Sequence, residues 1–102
     1  VSRRFVLVVS TPPAEGPDEC LELALSAAAM EVEFEILFRG AGRAHLEGVW
    51  IQPWLQFPEF GLAGLWFETG EGFSGPEPEV PVRALDEESR REMFHDRTVL
   101  VL

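Results

Sequence analysis

Solid apolar runs and amphipathic stretches follow one another along this chain. Phe5-Val6-Leu7-Val8-Val9 is an unbroken run rich in β-branched residues. Such a run predicts a strand covered on both faces, as in a parallel sheet. The prolines and glycine of residues 11–16 end it. In the next segment Cys20, Leu21, Leu23, Ala24, Leu25, Ala27 and Ala28 fall on one broad helical face. Asp18, Glu19, Glu22 and Ser26 take the other. With Pro17 suited to the first helical position, the pattern predicts a helix over 17–30.

A second strand is predicted over 32–38. It starts by alternating Val32, Phe34 and Ile36 with glutamates and ends as Ile36-Leu37-Phe38. Glu33 and Glu35 do not suit a strand covered on both faces. Either that end projects beyond the helices or it meets another subunit. A tight turn is expected at 39–42 and a short helix at 43–47. Residues 49–60 are rich in aromatics and broken by two prolines, and periodicity assigns them no element. Residues 61–67 read as a third strand, 68–79 as a loop rich in Gly, Pro and Glu, and 80–83 as a short fourth strand. Asp86 is placed to cap a helix running to Phe94. Thr98-Val99-Leu100-Val101-Leu102 reads as a final, buried strand. Strands alternating with helices predict an α/β fold with a mainly parallel sheet and helices on both faces.

The 102 residues suit one domain. Eight arginines, no lysine and 18 acidic residues give a net charge of −10. So acidic a chain is poorly suited to gripping phosphate backbones, so no direct nucleic-acid contact is expected. No apolar run approaches the ~20 residues that span a bilayer, and the first apolar run is too short for a signal-peptide core. Together these predict a cytoplasmic protein with no membrane partner. One cysteine excludes an internal disulfide, and no Cys/His spacing suggests zinc. No cofactor or metal is expected.

Three stretches resemble the DsrE/DsrF-like (TusBCD/DsrEFH) sulfur-relay superfamily, above all its TusC/DsrF-type subunits. The first is the opening apolar strand running into Ser10-Thr11-Pro12-Pro13 and a helix rich in small residues. The second is Glu35-Ile36-Leu37-Phe38, then a glycine turn and a short helix ending in Leu46-Glu47-Gly48. The third is Val82-Arg83-Ala84-Leu85-Asp86, then Ser89-Arg90-Arg91-Glu92 and a last apolar strand. The turn Arg39-Gly40-Ala41-Gly42 departs from the type, which carries an acidic Asp-Asp-Gly turn there. The resemblance implies a three-layer α/β/α fold with a five-stranded parallel sheet. It also implies a sulfur-relay role serving tRNA thiolation or sulfur oxidation. The implied partners are DsrE/TusD-like and DsrH/TusB-like subunits, or further copies of this chain.

Cys20 is the one residue able to carry sulfur. Two readings stand side by side. DsrH/TusB-type chains carry a cysteine in the first helix, and a helix N-terminus favours a thiolate. Against this, Asp18 and Glu19 are adjacent charges, and the apolar helical face holds Cys20, where a thiol packs as a small hydrophobe. His45 and His95 have no nucleophile at a recognisable spacing. Thr11, Gly16, Gly40, Gly42 and Gly70 fall in loops after strands, at the edge where open α/β sheets bind ligands. Trp50, Trp54, Phe57 and Phe60 form an aromatic group suited either to the core or to a subunit interface, with Glu33 and Glu35 as further interface candidates. The expected function is that of a non-catalytic partner chain in a sulfur-relay assembly. The alternatives are a sulfur carrier using Cys20 and a stand-alone oligomeric module that shares only the fold.

Overall fold

The computed structural model describes residues 4–13, 19–68, 82–95 and 97–102. Five strands make one sheet: β1 (Arg4–Val9), β2 (Glu33–Phe38), β3 (Ala63–Glu68), β4 (Val82–Leu85) and β5 (Thr98–Val101). All pairings are parallel and the order is β4-β3-β2-β1-β5. The chain steps outward from β1 to β4, then returns to lay β5 on the far side of β1. This is the α/β/α architecture expected from the alternation of strands and helices.

The reversal assigns the layers. Helix α1 (Glu19–Ala29), two 3₁₀ segments (Gly40–Leu46 and Gly48–Trp54) and the short α2 (Gln56–Glu59) lie on the first face. There Leu7, Val9, Phe34, Ile36, Phe38, Leu65 and Phe67 pack against Cys20, Ala24, Ala27, Leu46, Ile51, Trp54 and Phe57. Helix α3 (Glu87–Phe94) crosses the second face, packing Met93 with Val6, Val8, Leu37 and Leu85. The period-2 alternation of strand side chains divides each strand between these two clusters.

Local signals set the helix ends. Asp86 caps α3, accepting a hydrogen bond from Ser89 N at 2.8 Å. Helix α1 stops where Glu31 turns left-handed (φ 57°) and Val32 N donates to Ala27 O. That is the backbone pattern of a Schellman stop, made here without the usual glycine.

Two expectations change. The expected turn and short helix over 39–47 are one 3₁₀ segment, and the unassigned 49–60 stretch is a second 3₁₀ segment followed by α2. Pro53 lies inside the second segment, where it withholds the N–H a regular helix needs. Strand β5 is not buried: Leu100 is 40% and Val101 59% exposed. Its apolar run fits a central strand, but the topology puts it at an edge, where the helical layers give less cover.

Candidate functional site

In open α/β sheets the carboxyl ends of the strands carry ligands. Here that edge begins with Ser10 and Thr11 after β1. Ser10 donates through its hydroxyl (2.8 Å) and its backbone N–H (2.7 Å) to Leu102 O, which ties the ends of β1 and β5 together. Thr11 Oγ1 lies 3.6 Å from Cys20 Sγ. The Thr11 carbonyl can only accept, so His45 Nε2 bears the proton and donates to it at 2.9 Å. Cys20 and His45 are both buried, at 5% and 1% exposure. His45 also packs edge-on to Trp54, with ring centroids 5.5 Å apart.

Gly42 explains how the 3₁₀ segment fits so close to β1. A Cβ at Gly42 would overlap the Val9 carbonyl, so no other residue fits there without a backbone shift. Gly40 is exposed and left-handed, with φ 55°. These loop glycines therefore act as backbone geometry. Gly16 and Gly70 lie outside the described residues.

The same edge holds a charged group beyond β2 and β3. Glu68 Oε2 lies 3.4 Å from Arg39 Nε and 3.1 Å from Arg90 Nη1. Arg43 places its guanidinium over the Phe67 ring, 5.0 Å from the centroid. Burial lowers the Arg43 pKa, and the Glu47 carboxylate opposes the shift.

The interface candidates do not form one surface. Trp54 and Phe57 are core residues at 1% and 0% exposure, while Trp50 and Phe60 are 42% and 69% exposed. An edge-on contact between Phe38 and Trp54 (5.0 Å) and a further contact between Phe34 and Phe57 (6.1 Å) tie the inner pair to β2. Glu33 and Glu35 lie at the opposite, amino end of the sheet. Glu33 is exposed there; Glu35 is half-buried and accepts from Trp66 Nε1 at 2.7 Å. Both line a cleft of about 190 Å³ with Phe5, Phe34 and Arg97.

Sequence reasoning missed Arg39, Glu68 and Arg90. Arg39 directly follows β2 and Glu68 ends β3, so scanning strand ends for charge as well as glycine finds both. Arg90 joins them only through the path of α3.

Among the described residues, no three or more His, Cys, Asp or Glu side chains gather to hold a metal, and no helix is long and apolar enough to cross a membrane. No protein-family model and no curated protein matches the chain.

Proposed function

We propose that this chain is a non-catalytic partner subunit of an intracellular sulfur-relay assembly, with the transferable cysteine on another chain. The burial of Cys20 supports a passive role. Cys20 as a residue is 5% exposed and sits within the main core cluster. A persulfide carrier must present its sulfur to a second protein, and a packed thiol does not. The exposed rings of Trp50 and Phe60 supply apolar area for a partner. The relay itself rests on the resemblance of the three sequence stretches.

A second reading keeps Cys20 as the sulfur carrier. It is favoured by the Thr11 hydroxyl, 3.6 Å from Sγ, at the carboxyl edge of the sheet. Alkylation of the native protein separates the two. In a partner subunit Cys20 labels slowly, at a rate that rises with denaturant. Rapid labelling in buffer, or recovery of a Cys20 persulfide after exposure to a sulfur donor, overturns the passive role. Native mass spectrometry after co-expression with DsrE/TusD-like and DsrH/TusB-like chains tests assembly. A mixed complex is expected. A chain that remains alone, as monomer or homo-oligomer, favours the stand-alone module.

A further inference from the structure

We infer that Arg39 and Arg90 form a binding site for a small oxyanion of the phosphate or sulfate class at the carboxyl ends of β2 and β3. The inference is independent of the sulfur-relay reading. Two guanidinium groups approach one carboxylate oxygen, Glu68 Oε2, at 3.4 and 3.1 Å. Each arginine offers five N–H donors in a planar fork, and one carboxylate cannot satisfy two forks.

The contacts with Glu68 are charge contacts only. Arg39 Nε and Glu68 Oε2 are shielded from solvent, yet neither has a hydrogen-bond partner among the described residues. Well-aligned arginine–carboxylate pairs make paired, directional hydrogen bonds. Here the donors are not aimed along those directions. The side chains of Arg39 and Arg90 remain 36% and 27% exposed, so a small ion can reach them.

The local charge favours an anion against the trend of the molecule. The net charge is −10, and there are only eight arginines and no lysine. Arg39 and Arg90 nonetheless meet at the ends of β2 and β3 with Glu68 between them, while Arg43, over the Phe67 ring, has the Glu47 carboxylate beside it. Tetrahedral oxyanions carry several acceptor oxygens and can take hydrogen bonds from both forks. On binding, the ion displaces Glu68 from the arginines.

That competition gives a signed test. The full chain is titrated with sodium sulfate, inorganic phosphate and glycerol phosphate, against sodium chloride at matched ionic strength. Arginine side-chain NMR signals report the site. Saturable shifts confined to Arg39, Arg90 and their neighbours are expected with the oxyanions and not with chloride. Tighter binding of glycerol phosphate than of phosphate identifies the phosphoryl group of a larger ligand; equal binding identifies the free ion. Arg39→Gln and Arg90→Gln each weaken binding by about tenfold. Arg91→Gln, on an exposed arginine paired with Glu87, leaves it unchanged. Glu68→Gln removes the competing charge and tightens binding several-fold. Where Arg39→Gln fails to fold, Arg39→Lys keeps the charge, loses the fork and binds more weakly. Chloride matching the oxyanions, Arg91→Gln weakening binding as much as Arg39→Gln, or Glu68→Gln weakening it overturns the site.

Discussion

On the first face of the sheet, cohesion comes from apolar packing. Trp54, Phe57, Phe38 and His45 meet ring to ring beneath a proline-broken segment, and α1 closes the layer with small side chains. On the second face one helix packs Met93 over Val6, Val8 and Leu37, and the row beyond is polar. There Trp66 donates to Glu35, and Arg83 lies over the Trp66 ring at 5.5 Å. A Cβ on Gly64 would run into the Glu35 carboxylate. The first face depends on filled volume and the second, outside its small apolar cluster, on a few directed contacts that remain partly wet. Losses should therefore be large on the first face and smaller on the second.

The sharpest way to break the contrast is Trp54→Ala. Emptying a ring from the first core should cost about 3–5 kcal/mol. A domain holds roughly 5–15 kcal/mol in all, so the variant should stand near the unfolding threshold in urea melts. A loss under ~1 kcal/mol would show that the aromatic layer is not the main support of that face.

Trp66→Phe tests the second face. It keeps most of the ring and removes the indole donor to Glu35. A loss of about 1 kcal/mol is expected, because the half-buried carboxylate regains water as it loses its partner. Trp66→Phe matching Trp54→Ala would erase the difference between the faces.

The smallest effect belongs to the start of α3. The hydrogen bond from the Ser89 backbone holds the Asp86 carboxyl below its usual range. A group whose folded pKa is lowered contributes above its unfolded pKa, and that contribution is lost as pH falls through the folded value. Stability measured in acid should decline less in Asp86→Asn than in the native chain, because an asparagine cap accepts the same bond without titrating. Identical acid limbs would rule out this cap as a source of the pH dependence.

Much of this architecture was readable in the chain. The runs 5–9 and 36–38 announced strands, the wheel of residues 20–28 announced a helix, and Asp86 announced its own cap. These are local signals, set by side-chain period and by which residue can satisfy an open backbone N–H. The apolar helical face that holds Cys20 was also readable, though Leu23 and Leu25 on that face stand 36% and 38% exposed. The four aromatics were harder. Nothing in the spacing of Trp50, Trp54, Phe57 and Phe60 separates the two core rings from the two exposed ones, because prolines break the helical period that would sort them. The exposure of β5 was hidden too, since an apolar strand reads alike at the centre and at the edge of a sheet.

The sequence by itself determined the alternation of elements, the parallel sheet that follows from it and the apolar setting of the only cysteine. Each depends on residues close together in the chain. Tertiary structure alone decided the strand order, the sorting of the aromatics, the contact of Thr11 with Cys20 and His45, and the meeting of Arg39 and Arg90 on Glu68. Apart from Thr11 and Cys20, which one loop separates, those contacts join residues far apart in sequence, and the crossovers, not any local pattern, bring them to one edge of the sheet.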